Sequence, residues 1–229
     1  MQPNMQTAYA SGLAESRNKV LRNTYALLGL SLIPTVIGAL IGIGMSFSFL
    51  RASPIMGMLG LMAVMYGLMF AIQANRYSSL GVYLMLAFTF VMGVLLGPLL
   101  QLALHLNNGG SLIMIAGGST ALIFLTMAGI ATTTKRDLSG LGSFLSVGAI
   151  MLIVAMIANI FLRIPAFELA ICGAFVLFSS AMIMWQVKQV VDGGETSYVA
   201  ATLSIYISMY NIFTSLLRIL IAISGNNRN

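Results

Sequence analysis

The chain has 229 residues, 59% of them hydrophobic and 7% charged, with a mean hydropathy of +0.98. A soluble domain carries about 25% charged residues, so this set cannot cover a water-facing surface, and an integral membrane protein is expected. The net charge of +6 lies at the ends of apolar segments, a distribution that suits membrane topology and anionic headgroups rather than nucleic acid.

In chain order, residues 1–22 are polar, lack an apolar period and are expected to form a flexible cytoplasmic tail. The first apolar run is too long for a cleavable signal peptide and continues past any small-residue cleavage site. About twenty apolar residues cross the hydrocarbon core. Apolar windows of that length, free of charge or nearly so, predict helices over about 24–50, 54–74, 80–103, 112–133, 139–162, 167–188 and 198–223. The segment L-N-N-G-G-S at 106–111 has turn composition and divides the long window between Tyr77 and Thr134. No run alternates as a barrel strand would. The expected architecture is all-α: a seven-transmembrane-helix bundle over residues 23–224, with 225–229 as a short outer tail.

Seven spans put the termini on opposite faces, and the Lys/Arg bias orients them. With the N-terminus inside, Arg17, Lys19, Arg22, Arg76, Lys135, Arg136 and Lys188 are cytoplasmic. Arg51, Arg163 and Arg228 fall outside, with Arg218 close to an outer helix end. The bias favours a cytoplasmic N-terminus and an outer C-terminus.

Small residues spaced by four mark close helix contacts in membranes, which singles out Gly38 with Gly42 and Gly93 with Gly97. Pro34 and Pro98 lie in the same helices and are expected to kink them. In the last helix Ser204, Ser208, Asn211, Ser215 and Arg218 recur at steps of four and three, which makes one polar stripe. Cys172, Ser179 and Gln186 recur at seven-residue steps on the sixth and can face it. The stripe reads either as hydrogen-bonding groups between helices or as the lining of a polar pathway.

Ionisable groups inside a membrane are costly and therefore informative. Asn159 lies in the fifth helix with Arg163 one turn further on, and Glu168 begins the sixth. An outer ion pair of Glu168 with Arg163 or Arg218 is one reading; the other lets both arginines snorkel to headgroups. In V-V-D-G-G-E-T-S-Y at 190–198, Gly193 or Gly194 can end the sixth helix in a left-handed conformation, and Thr196 or Ser197 can cap the seventh. Glu195 suits that N-terminus. Asp137, Asp192 and Glu195 lack the spacing of a calcium loop, and capping explains the acids of the turn better. Enzyme chemistry finds no footing. G-G-S-T at 117–120 has no second histidine-bearing helix to serve it, the lone His105 lying in the loop just before. No metal, phosphate-loop or haem motif occurs, so no cofactor is expected. A single cysteine, Cys172, allows no internal disulfide.

Several ordered motifs carry a resemblance. G-V-L-L-G-P-L-L at 93–100, A-G-G-S-T-A-L-I-F at 116–124, T-T-T-K-R-D-L-S-G-L-G-S at 132–143, A-N-I-F-L at 158–162 and S-M-Y-N-I-F-T-S-L-L at 208–217 resemble the Bax inhibitor-1 family. The opening K-V-L-R-N-T-Y-A-L-L at 19–28 and the G-G-E-T-S-Y turn are most similar to its bacterial, YccA-like branch. The resemblance implies a seven-helix fold with the last helix near the centre, a loop at Lys135, Arg136 and Asp137 on the cytoplasmic side, and residence in the bacterial inner membrane.

Family members implicated in calcium leak share a proton between two aspartates, one late in helix six and one in helix seven. Those positions fall at Gln186 and Ser208, which cannot ionise. The resemblance therefore implies a cation channel whose pH gating is weakened or lost, with Gln186, Ser208 and Asn211 as lining groups or as a latch. Members of the bacterial branch are also similar to proteins that bind and restrain FtsH, a membrane-anchored ATP-dependent protease. That implies FtsH, the lipid bilayer and, on the channel reading, cations as partners. The N-terminal tail would be the segment that the protease engages.

Overall fold

A segment in hydrocarbon must pair every backbone N–H and C=O within itself, and a helix does so locally. The computed structural model describes residues 3–47, 53–136 and 138–226, and all regular elements among them are helices. They are α1 (Pro3–Gly44), α2 (Pro54–Ala74), α3 (Ser79–Leu95), α4 (Gly97–Leu104), α5 (Gly109–Thr133), α6 (Ser139–Leu162), α7 (Pro165–Asp192) and α8 (Tyr198–Asn226). Among the described residues six stretches are long and apolar enough to cross a membrane: Glu15–Gly44, Ser79–Leu104, Gly109–Thr133, Gly140–Leu162, Pro165–Asp192 and Tyr198–Gly225. A shorter apolar stretch, Leu59–Ala74, belongs to α2.

Three departures from the expected elements have local causes. Residues 3–22, expected as a flexible tail, are helical and continue α1. Proline suits a first helical turn, and Ala8, Ala10, Leu13, Ala14 and Arg17 are strong helix formers. The first helix also ends at Gly44 rather than near residue 50, where Gly42 and Gly44 weaken its last turn. The helix expected over 80–103 is two helices meeting at Leu96. Pro98 has no N–H for the Val94 carbonyl, and regular bonding resumes with Leu100 N donating to Leu96 O at 2.9 Å. A fourth boundary is sharp for a similar reason. Arg163 closes α6 in the left-handed region (φ 53°, ψ 39°), and Pro165, which disfavours helix at the residue before it, opens α7.

The chain forms two compact units, Met1–Leu95 with Gln189–Leu203 and Leu96–Lys188 with Ser204–Asn229. In the first, α1 packs closely on α3. Side chains at Gly38 and Gly42 would meet the Phe90 and Val94 backbone, and one at Gly93 would meet Thr35. Leu27, Leu28, Ile72, Met85 and Phe88 fill the interior of that unit. In the second, the Trp185 ring of α7 lies against Gly142 of α6, and Leu100, Leu112, Leu145, Ile183, Ile205 and Leu217 are buried. From Val199 to Gly225 only Arg218, Ile223 and Gly225 of α8 are exposed, whereas most of α6 is exposed.

Candidate functional site

The turn between α7 and α8 is built from its glycines. Gly193 takes φ +83°, a conformation cheap only for glycine, while Gly194 N donates to Gln189 O at 2.8 Å. A side chain on Gly193 would collide with the Arg17 guanidinium of α1. Ser197, 1% exposed, caps α8: its Oγ accepts the Ala200 N–H at 3.2 Å and donates to Arg76 O at 2.7 Å. Glu195 Oε1 accepts the Ser197 N–H at 2.8 Å, and Glu195 Oε2 lies 4.0 Å from Arg76 Nη1. Tyr77 OH and Thr196 Oγ1 share a hydrogen bond at 3.1 Å, and the Arg76 guanidinium stands 4.9 Å from the Tyr77 ring centroid. Thr202 Oγ1 adds a contact to Thr24 O at 3.2 Å. The turn after α2, the first part of α8 and the N-terminal part of α1 therefore meet at one end of the first unit. Arg76 and Tyr77 as partners of this turn escaped the sequence analysis, which carries no signal of which helix end faces which.

In the second unit the polar stripe of α8 bonds partly within its own helix. Ser208 is buried, but its hydroxyl donates to Ser204 O in its own helix at 3.0 Å rather than to Gln186. A serine in a helix reaches the carbonyl four residues back more easily than a neighbouring helix. Thr214 does the same with Tyr210 O at 2.9 Å. Gln186 and Ser215 are buried, Ser204 and Asn211 half-buried. Ser179, on the Gln186 face of α7, and Asn159 of α6 are less settled. Ser179 Oγ and Asn159 Oδ1 are buried without a hydrogen-bond partner among the described residues. Near the α5 terminus, Lys188 Nζ donates to Thr134 O at 3.0 Å. Lys135 and Arg136 are exposed beside it, and Asp137 lies outside the described residues. His105 Nδ1 meets the Gln101 carbonyl of its own helix at 2.6 Å.

At the opposite end of α8, Arg218 Nη1 donates to Glu168 Oε1 at 2.9 Å. Arg163 takes no part in that pair; it sits at the left-handed end of α6. The pair borders an open cleft of about 340 Å³ whose walls include Leu99 and Leu102 of α4, Leu169 of α7, and Ile221 and Ala222 of α8. Among the described residues no group of three or more His, Cys, Asp or Glu is gathered that could hold a metal ion.

A sequence-family profile described as "Inhibitor of apoptosis-promoting Bax1" matches residues 17–226. The chain is 50% identical over 214 residues to "Uncharacterized protein NMA0420" of Neisseria meningitidis, covering 93% of this chain and 94% of that protein. It is 41% identical over 205 residues, 90% of each chain, to "Modulator of FtsH protease YccA" of Escherichia coli K12. It is 40% identical over 211 residues to "Uncharacterized protein PA2604" of Pseudomonas aeruginosa, covering 91% of this chain and 92% of that one. Helices of membrane-spanning length, the G-V-L-L-G-P break at Leu96 and the G-G-E-T-S cap all lie within the matched span, and the chain belongs to the Bax inhibitor-1 family.

Proposed function

We propose that this protein is a seven-span protein of the bacterial inner membrane that binds and modulates an FtsH-type membrane protease. The observation that carries the reading is the 41% identity, over 90% of both chains, to the E. coli modulator of FtsH protease. Another E. coli relative with the same identity bears the name "Inner membrane protein YccA".

The seven-span count is supported by contacts within the first unit. Arg17 of α1 lies against Gly193, and Arg76, just past α2, lies against Glu195 and Ser197 of the same turn. If α1 carries the chain away from that membrane face, α2 must bring it back. The 21 residues of α2 rise about 31 Å, enough for the hydrocarbon core. Arg17, Arg76 and Lys188 then share the cytoplasmic side, and Arg218 lies toward the outer side.

A protease that pulls needs a handle and meets resistance from packing. Residues 3–14 precede the first apolar span as helix, which projects about 18 Å at 1.5 Å per residue. Beyond the handle, the backbone contact of α1 with α3 and the bonds at the α7–α8 turn resist extraction. In proteoliposomes, FtsH degradation of a membrane reporter should slow when the native chain is present and recover when residues 3–14 are deleted. Native chain without effect would sink the protease reading. Full restraint by the deleted chain would sink the handle.

A second reading, cation permeation along α7 and α8, draws on the Ser179 hydroxyl, buried without a partner among the described residues, on the same face of α7 as buried Gln186 two turns on. Calcium favours several carboxylate oxygens, which this face lacks, so monovalent ions suit it better. Dye-loaded liposomes at acid and neutral pH, comparing native chain with Ser208→Asp, decide it: flux through the native chain supports a conducting face, and silence rejects it.

A further inference from the structure

The Glu168–Arg218 pair is placed oddly for a structural salt bridge. Both side chains are about half exposed, 49% and 54%, yet both residues lie inside apolar spans, Pro165–Asp192 and Tyr198–Gly225. Arg218 is seven residues short of Gly225, about 10 Å along the helix. Glu168 lies in the first turn of its span, so the pair stands near one end of both helices, the level at which headgroups meet the apolar core and an unmet charge is costly. Each group also has capacity left. The guanidinium has five N–H donors and the carboxylate several lone pairs, and the pair is made through one Nη1–Oε1 contact. Directly beside them opens the cleft of about 340 Å³ walled by Leu99, Leu102, Leu169, Ile221 and Ala222. Apolar walls with a few convergent polar groups are the usual form of a small-molecule site.

We propose that this cleft binds a zwitterionic aminophospholipid, its phosphate on Arg218, its primary ammonium on Glu168 and an acyl chain along the apolar wall. A zwitterion laid antiparallel on an ion pair brings each charge to its opposite. Arginine offers a phosphate two parallel N–H donors, and a primary ammonium offers the carboxylate three. A choline headgroup has no N–H to donate. An anionic glycerol headgroup would add a negative charge to a pair that is already neutral in sum. The surrounding membrane is the source, because the cleft is open and its walls are apolar.

The test uses the full chain in nanodiscs of phosphatidylcholine, phosphatidylethanolamine and phosphatidylglycerol in equal parts, followed by release and native mass spectrometry of retained lipid. Phosphatidylethanolamine should be retained about tenfold over the other two, the size of one added charge-assisted contact. Glu168→Gln should abolish that preference and turn it toward phosphatidylglycerol, because Arg218 is left as an unshared cation. Ala222→Phe, which fills the cleft, should lose retention of all three. Excess glycerophosphoethanolamine, which has no chains, should not displace the lipid. Equal retention of the three lipids, an unchanged preference in Glu168→Gln, or displacement by the headgroup alone would overturn the proposal. Should Ala222→Phe lose its native helix content by circular dichroism, the native preference and the near-isosteric Glu168→Gln decide alone.

Discussion

Ser197 and Arg76 are joined through one hydroxyl: Ser197 Oγ donates to the Arg76 carbonyl at 2.7 Å while accepting the Ala200 N–H at 3.2 Å. The cap of α8 and the turn after α2 therefore share one group, and neither can be lost alone. Ser197→Ala removes both bonds at a site 1% exposed. An N-cap contributes about 1 kcal/mol, up to 2, and a part-buried carbonyl left without a donor adds about 1. Thermal or denaturant unfolding in detergent should show a loss of about 2–3 kcal/mol, with Ser197→Thr recovering most of it. A loss below the error of the measurement would mean that water replaces both bonds.

Gly42 stands where α1 approaches the Val94 carbonyl, which Pro98 leaves without its usual helical donor. A methyl group there meets backbone that cannot move aside, so Gly42→Ala should destabilise the α1–α3 contact by about 1–3 kcal/mol, the usual cost of overpacking. Gly29 has nothing within 4 Å of an added Cβ. Gly29→Ala should be neutral or stabilising by up to about 1 kcal/mol, since alanine is the better helix former. Melting temperatures of the two variants against the native chain, in the same detergent, separate them by sign.

Gly193 carries both a left-handed backbone and the Arg17 contact. Gly193→Ala should cost about 1–2 kcal/mol from backbone strain, and pairing it with Arg17→Ala should return only the part due to collision. A double-mutant cycle read by unfolding midpoints measures that part.

The Lys/Arg bias assigns residue 78 to the cytoplasmic side and residue 225 to the outside. With Cys172 replaced by serine, Ser78→Cys and Gly225→Cys, both at exposed positions, should react differently with a membrane-impermeant maleimide. Cysteine at 225 should label in intact spheroplasts, and cysteine at 78 only after permeabilisation. Labelling of both from outside would contradict the Lys/Arg assignment.

Composition and window length settled much about this chain. A set of residues with 7% charge and repeated charge-free runs has one low-cost solvent, lipid, and in lipid a helix satisfies its own backbone. The small-residue steps at Gly38 and Gly42 were likewise readable, because absence of a side chain is a property of the residue and not of its neighbours. Helix ends were less so. Residues 3–22 look polar and aperiodic, yet helix propensity and an N-terminal proline carry α1 through them. Residue order alone could not separate a kink at Pro98 from the break at Leu96.

What only the tertiary structure decided is direction and partnership. The stripe of Ser204, Ser208, Asn211 and Ser215 was visible by period, but Ser208 has one proton, and it goes to Ser204 O within its helix. Glu168 had two arginines within reach of argument. Arg163 stands at a left-handed helix end, and Arg218, fifty residues on, makes the bond. Ser197 was one of two possible caps, and its second bond, to Arg76 O, spans 121 positions of chain. Local rules act within one or two helical turns, where covalent geometry limits the choices. Pairings over fifty or more residues depend on how the helices pack, which no short stretch of sequence contains.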